Sequence, residues 1–274
     1  MPLSIDEKSK RFVALHERAG SFVIPNPWDA GSARVLAALG FEALATSSGA
    51  CAGVLGRTDG GITRAEAIAH AKVIVEATDL PVAADLENGF GDSADEAAET
   101  IRAAGAIGLV GGSIEDCAGP GKGLYEFEHA VRRVEAAVAA ARALPFKFML
   151  TARAENFIRG NPDLDDTIRR LKAFENAGAD VLFAPGLPDI DAVRKVCASL
   201  DRPFNFMVGI KGRSFTVADL TAAGVKRISL ATSLYRAAMT GLLDAAREVQ
   251  VQGTFGYLDS AVPTPDLNKM LDGQ

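Results

Sequence analysis

LAALGFEALATSSG, residues 36–49, holds the plan of the chain in fourteen positions. An Ala- and Leu-rich run of helical spacing ends at Leu39-Gly40-Phe41, where glycine can close the helix in the left-handed conformation and the next apolar residue opens a strand. The strand then runs into small polar residues, Thr46, Ser47 and Ser48. The same punctuation returns at Ala104-Gly105-Ala106, Ala177-Gly178-Ala179 and Ala223-Gly224-Val225. Outward from this unit, strand-like runs at 21–26, 41–48, 80–87, 106–116, 146–155, 179–186, 203–209 and 225–232 alternate with helical runs. The helices are expected at 30–40, 63–77, 93–105, 126–143, 163–178, 189–200 and 216–224, with a last one reaching about Gln250. Eight βα units predict an α/β chain forming a single TIM-type (β/α)8 barrel over about 21–250, in one domain spanning 1–274. The tail, 251–274, carries aromatics and two prolines and is expected to pack on a neighbour or on the barrel exterior.

Composition narrows the function classes. The chain has 274 residues, 48% hydrophobic and 23% charged, which suits a sizeable core and excludes a disordered or fibrous chain. No stretch approaches the ~18 consecutive apolar residues of a membrane span, and MPLSIDEKSKR lacks the apolar run of a signal peptide, so a cytoplasmic protein is expected. A net charge of −6 with scattered Lys and Arg argues against nucleic acid as a partner. Cys51, Cys117 and Cys197 have neither an even count nor a C-x-x-C spacing, so reduced thiols are expected. Neither G-x-G-x-x-G after the first strand nor a P-loop occurs, which removes the usual dinucleotide and nucleotide readings.

In a barrel of this kind chemistry gathers at the C-terminal ends of the strands. Those ends supply Asn26, Trp28 and Asp29; Thr46, Ser47 and Ser48; Asp85, Glu87 and Asn88; Glu115, Asp116 and Cys117; and Arg153, Glu155 and Asn156. Strand 6 ends in Ala184-Pro185-Gly186 with nothing ionisable, while Asn205 and Ser229 lie within strands 7 and 8. Asp85, Glu87, Glu115 and Asp59 would bring four carboxylates to one mouth, which favours a cation or raised pKa values. Oxygen ligands without His or Cys suit Mg²⁺ or Mn²⁺. Arg153 ends an apolar strand and is expected to face an anionic substrate rather than a carboxylate of the protein. Ser47, Ser48 and Gly49 form a small-residue turn whose N–H groups can approach a carboxylate. His16, His70 and His129 fall outside strand ends and are read as surface or packing residues. Lys147 and Lys226 start strands, on the wrong face for a Schiff base, whereas Lys122 and Lys211 lie in loops of the functional face.

These residues carry a resemblance. NPWDAGSARVLAALGFEALATSSG, LGRTDG, PVAADLENGFG, SIED, TARAEN and the AGAD strand start follow in order, and the run from Pro25 to about Gln252 resembles the isocitrate lyase/phosphoenolpyruvate mutase superfamily. The resemblance implies a Mg²⁺-chelated small carboxylate substrate, catalysis through an enolate, and a homo-oligomer, dimer or tetramer, with a swapped C-terminal helix as one arrangement. It implies Asp85 and Glu87 at the metal with Glu115 and Asp59 as supporting carboxylates, Arg153 holding the substrate and its enolate charge, and the Ser47–Ser48–Gly49 backbone binding the carboxylate. Together with the strand-end residues this gives Asp85, Glu87 and Glu115 as expected metal residues, Arg153, Glu115 and Asp59 as catalytic residues, and Trp28, Thr46, Ser47, Ser48, Gly49, Arg153 and Asn205 as substrate contacts.

Departures from the family pattern narrow the chemistry. Glu87 stands where the lyases have Asp. Only CAGPGKGLYEF, 117–127, joins Asp116 to the next helix, so the lyases' longer K-[KR]-C-G-H gate with its cysteine acid is missing, as is the phosphonate mutases' gate. Strand 6 lacks the glutamate of methylisocitrate-type lyases. A Mg²⁺-dependent lyase of a small 2-oxo or 2-hydroxy acid, decarboxylase- or hydrolase-like, is therefore the leading expectation. The alternatives are a 2-oxo acid binding protein without turnover, a C–P bond mutase or hydrolase, and a class I aldolase through Lys211.

Overall fold

Inside each strand, side chains alternate between the barrel interior and the helices outside. The computed structural model describes residues 2–119, 121–213 and 215–272; residues 1, 120, 214, 273 and 274 of the expected domain lie outside the described residues. Eight parallel strands follow one another as β1 (Phe22–Ile24), β2 (Leu44–Ala45), β3 (Val82–Asp85), β4 (Gly111–Glu115), β5 (Met149–Arg153), β6 (Val181–Phe183), β7 (Phe204–Met207) and β8 (Arg227–Ser229). They pair in the order β1-β8-β7-β6-β5-β4-β3-β2, a nearly closed α/β barrel. At the seam, the Ala45 N–H donates to the Pro25 carbonyl at 3.0 Å. The Asn26 carboxamide spans the same seam, accepting from the Leu230 N–H at 2.9 Å and donating to the Thr46 carbonyl at 2.9 Å.

Alternation produces two cores. Outward residues such as Val82, Ile114, Leu150, Leu182, Phe204 and Ile228 pack under the surrounding helices. Inward residues at the strand starts, Phe22, Ala83, Met149 and Val181, meet Phe12 and Leu15 of helix α1 (Ile5–Glu17), which plugs the N-terminal end. Gly111 is needed there, because a Cβ would lie 2.9 Å from Phe12 Cε1 and 3.0 Å from the Met149 carbonyl. Further up, the inward positions turn polar, and that change makes the site.

The barrel helices are α2 (Ala30–Ala38), α4 (Arg64–Ala77), α5 (Ala94–Ala106), α6 (Phe127–Arg142), α7 (Leu164–Asn176), α8 (Ile190–Ala198), α9 (Val217–Ala222) and α10 (Ser233–Gln252). Three more α-helices occur among the described residues: α1, α3 (Ser48–Val54) and α11 (Thr264–Leu271). Gly40, Gly178 and Gly224 take the left-handed conformation expected of them, with φ of 87°, 100° and 96°. Gly105 does not: it lies within α5, where an added Cβ would meet Leu144 at 2.6 Å, and Gly108, φ 92°, makes the turn instead. The tail returns to the barrel exterior, and Arg34 of α2 donates to the Leu271 carbonyl at 2.9 Å.

Candidate active site

Asp85 closes β3 and is held from two sides. Its Oδ2 accepts from the Ser48 N–H at 3.2 Å and the Ser48 hydroxyl at 2.9 Å, and its Oδ1 accepts from Arg153 Nη1 at 2.9 Å. The Thr46 hydroxyl accepts the Asp85 N–H at 3.2 Å, which fixes the strand end. The expected Ser47–Gly49 turn is instead the start of α3, with Ser47 as N-cap. Ser48 spends its amide on Asp85, and its hydroxyl also reaches Asp59 Oδ1 at 3.2 Å. Gly49 is required by crowding: a Cβ would stand 2.9 Å from Thr232 Cγ2 and 3.2 Å from the Asp59 carboxyl.

Glu87 follows with φ 48°, a left-handed conformation uncommon for a residue with a side chain. Its main-chain carbonyl accepts the Glu115 N–H at 2.9 Å, tying the ends of β3 and β4 together. Its Oε1 is buried without a hydrogen-bond partner. Burial, reinforced by the charges of Asp85, Glu115 and Asp59, raises the Glu87 pKa to about 8.

Arg153 ends β5 inside this acid cluster. It pairs with Asp85 at 2.9 Å, Glu115 at 3.3 Å and Glu155 at 2.8 Å, and lies over the Phe183 ring, 4.8 Å from its centroid. Arg153 thus pairs with three carboxylates of the protein, while the same guanidinium still lines the cavity. Glu155 is fully buried, and burial raises its carboxyl pKa despite Arg153 beside it. Arg159, from a 3-10 turn over Asn156–Arg159, donates to Glu115 at 3.1 Å. Spacing in the sequence assigns no role to Glu155 or Arg159, because their pairing depends on tertiary apposition.

The loop after β4 folds back as a hairpin: the Ala118 N–H donates to the Gly123 carbonyl at 3.1 Å, and the Tyr125 N–H to the Asp116 carbonyl at 2.8 Å. Cys117 is buried beneath it, its Sγ 3.0 Å from Glu115 Oε1, and burial, with Glu115 adjacent, pushes the thiol pKa to about 12. Asp116 faces away, accepting from the Glu155 N–H at 2.8 Å and Arg170 at 3.1 Å.

Two adjoining cavities, each of about 260 Å³, open here. The central one is lined by Thr46, Ser47, Ser48, Gly49, Asp59, Asp85, Arg153 and Asn205 of the expected residues. The side one brings Glu87 and Glu115 to Asp59, Ser48 and Arg153. Trp28 lines neither; it packs edge-on against Tyr235, ring centroids 5.7 Å apart. The histidines bind backbone carbonyls: His16 that of Phe12, His70 that of Trp28 and His129 that of Asp92, each at 2.8 Å. Lys147 is paired with Asp180, and Lys226 is bonded to the Arg18 and Gly20 carbonyls, both away from the site.

Two acidic groupings fit a cation differently. Glu115, Cys117 and Glu155 bring ligand atoms within 4.8 Å of one another, but Arg153 and Arg159 already neutralise the carboxylates and the thiol stays protonated. Asp85 and Glu87 offer the better fit, since Glu87 has a buried carboxyl oxygen without a partner and a proton affinity raised by neighbouring acids.

The phosphoenolpyruvate phosphomutase family profile matches residues 12–250. A solved structure from Burkholderia cenocepacia J2315, provisionally described as a lyase/mutase, is 49% identical and superposes with a TM-score of 0.94 over 97% of this chain and 95% of that one. The 2,3-dimethylmalate lyase of Eubacterium barkeri is 30% identical over 263 residues, covering 91% of this chain and 89% of the lyase. The 2-methylisocitrate lyase of Aeropyrum pernix is 27% identical over 250 residues, covering 88% of this chain and 79% of that enzyme.

Proposed function

The chain belongs to the phosphoenolpyruvate phosphomutase family, within the PEP mutase/isocitrate lyase superfamily, and from that premise we propose that it is a Mg²⁺- or Mn²⁺-dependent carbon–carbon lyase of a small 2-oxo or 2-hydroxy carboxylate. The observation that carries this reading is Glu87 Oε1, buried without a partner among Asp85, Glu115 and Asp59. Asp85 and Glu87 would hold the metal, with Glu115 and Asp59 as supporting carboxylates. A bound divalent cation supplies chelation of the substrate's acid and neutralises negative charge as an enolate develops.

The chain's own residues supply the rest. Nε and Nη2 of Arg153 stay on Glu155 and Glu115, which anchors the guanidinium plane. Nη1 is the corner on Asp85, and it would be free for a substrate oxygen if Asp85 served as a metal ligand. An anchored donor of this kind stabilises developing charge by roughly 3–4 kcal/mol. The α3 amino terminus and the Thr46 and Asn205 side chains line the same cavity and would orient the acid. Cys117, protonated and turned onto Glu115, is poorly placed as a proton donor to a large tricarboxylate, so decarboxylative or hydrolytic cleavage of a smaller acid is favoured.

Two features support the wider setting. Helix α10 has no buried residue and exposes Leu242, Leu243 and Val249, which favours a homo-oligomer. No helix among the described residues is long and apolar enough to cross a membrane, and the three cysteines are free, in keeping with a cytoplasmic enzyme. The test is turnover of oxaloacetate, 2,3-dimethylmalate, 2-methylisocitrate and phosphonopyruvate by purified protein with Mg²⁺ and with EDTA. Metal-dependent cleavage of a small acid is expected; cleavage undiminished by EDTA, or metal-dependent binding without turnover, overturns the assignment.

A further inference from the structure

The barrel interior holds a second buried arginine, and its surroundings are the reverse of those of Arg153. Arg227 points inward from β8 and is 7% exposed. Its Nε donates to Asn205 Oδ1 at 2.7 Å and its Nη2 to Thr151 Oγ1 at 2.9 Å, both neutral acceptors. Among the described residues no carboxylate comes within 4.0 Å of its guanidinium, whereas Arg153 has three. Burial alone, with no acid to oppose it, lowers the Arg227 pKa to about 9. A desolvated charge without a counter-ion is costly, and an apolar residue of similar volume would fill the space more cheaply.

Its position gives the charge a use. Arg227 lines the central cavity with Ser113, Thr151, Asn205 and Ser229. Asn205 is bound to both Arg227 and the Ser229 hydroxyl, the latter at 3.0 Å, so the floor is braced. The Thr151 hydroxyl accepts from Arg227 and keeps its own proton to donate, and Nη1 of Arg227 makes no hydrogen bond among the described residues. Asp59 and Asp85 lie on the α3 side of the same cavity. One region is thus built for a cation with a chelating acid, and the other for an anion.

We propose that Arg227 is a specificity-determining residue that, with the Thr151 hydroxyl, receives a second carboxylate on the limb of the substrate distal to its 2-oxo or 2-hydroxy acid. This rests on the proposed function for the first carboxylate and restricts that reaction to dianionic acids. Arginine suits the role because its fork binds both carboxylate oxygens, and it stays charged where a buried lysine would not.

Calorimetry on the full chain with Mg²⁺ tests it, using malate and lactate, which differ by one carboxylate. Wild type should bind malate at least about tenfold tighter than lactate. In Arg227→Met, malate affinity should fall about ten- to a hundredfold while lactate stays within about threefold, and Arg227→Lys should lie between. A folded Arg227→Met that keeps the malate preference, or loses both acids equally, overturns the proposal. Arg227→Met should melt cooperatively at or above the wild-type temperature, since a bare buried charge is gone; loss of that melt makes Arg227 structural and also overturns it. A melting series with inorganic sulfate in EDTA reads the floor without the metal: stabilisation of wild type but not of Arg227→Met supports the site, and equal responses refute it. Absence of Mg²⁺-dependent lactate and malate binding in wild type, with the sulfate difference intact, removes the proposed function and leaves the anion site.

Discussion

One carboxylate, Asp85, joins Arg153 and Ser48: Oδ1 lies 2.9 Å from Arg153 Nη1, and Oδ2 accepts both the amide and the hydroxyl of Ser48. Arg153 Nη1 and the Ser48 N–H are both spent on this side chain. Were Asp85 to serve a cation instead, a guanidinium corner and the Ser48 N–H would come free together. Metal and acid should therefore bind cooperatively, the first exposing donors for the second. The linkage also requires that the acid tighten the metal by the same factor.

Arg153→Lys should weaken Mg²⁺-dependent binding of a 2-oxo acid by ~1–3 kcal/mol, because a point charge cannot hold Glu115 and Glu155 while offering a free corner. The metal-free variant should also melt lower, since buried Glu155 loses a two-point partner. Titration calorimetry and melting curves check both, and unchanged affinity would show that Arg153 serves only the protein.

Glu87 should make the metal-free protein less stable as pH rises. Its folded pKa of about 8 lies above its ordinary value of 4.5, so between those limits the folded state keeps a proton that the unfolded chain has released. Stability linked to this group is present below pH 4.5 and declines toward pH 8. Asp116 and Glu155, raised by burial to about 6 and about 7, have the same sign but are spent by pH 7, so the interval from 7 to 8 isolates Glu87 from them. In EDTA, melting temperature should fall across that interval in wild type and fall less in Glu87→Gln. Mg²⁺ should restore the loss at pH 8 in wild type alone. Parallel curves would mean that Glu87 titrates normally.

The residues lining the mouth were legible because strand alternation puts Asp85, Glu115 and Arg153 on inward positions at strand ends, whatever the tertiary detail. The chosen partner was not: whether Arg153 faces substrate or protein turns on Glu155, two residues on, folding back beneath it. The position of Trp28 outside both cavities was illegible for a similar reason, since Tyr235, against which it packs, lies on α10, far away in sequence. Helix α3 escaped notice because seven small residues, Ser48–Val54, show no helical period long enough to read. Arg227 did leave a signal. In VKRISLAT it alternates with Ile228, in step with Ser229, so an inward arginine could have been read from the period of two alone.

Gly49→Ala should keep the fold and lower 2-oxo acid binding by about 1–3 kcal/mol, since the new methyl presses Thr232 Cγ2 at 2.9 Å and the Asp59 carboxyl at 3.2 Å. Pairing it with Thr232→Ser removes the first clash and should recover part of the affinity. A double variant no better than the single would place the damage at Asp59 alone.

The last prediction concerns Cys117 and decides how far the lyase comparison extends. Its thiol is buried, lies 3.0 Å from Glu115 Oε1, and has its pKa pushed to about 12, so it is protonated and donating to a carboxylate at neutral pH. A proton held that way is aimed at Glu115 and away from the central cavity, which Cys117 does not line. The hairpin above it is closed by main-chain hydrogen bonds, Ala118 to Gly123 and Tyr125 to Asp116, each about 3 Å, so bringing the thiol to a substrate requires breaking them. Isocitrate and 2-methylisocitrate should therefore not be cleaved above background. Cys117→Ser should leave turnover of smaller acids within about tenfold, because a hydroxyl can make the same bond to Glu115; loss of a true acid or nucleophile costs ~10²–10⁴. Steady-state assays of wild type and Cys117→Ser against both substrate sizes check this, and 2-methylisocitrate cleavage that vanishes in Cys117→Ser would make Cys117 the acid after all and require the hairpin to open.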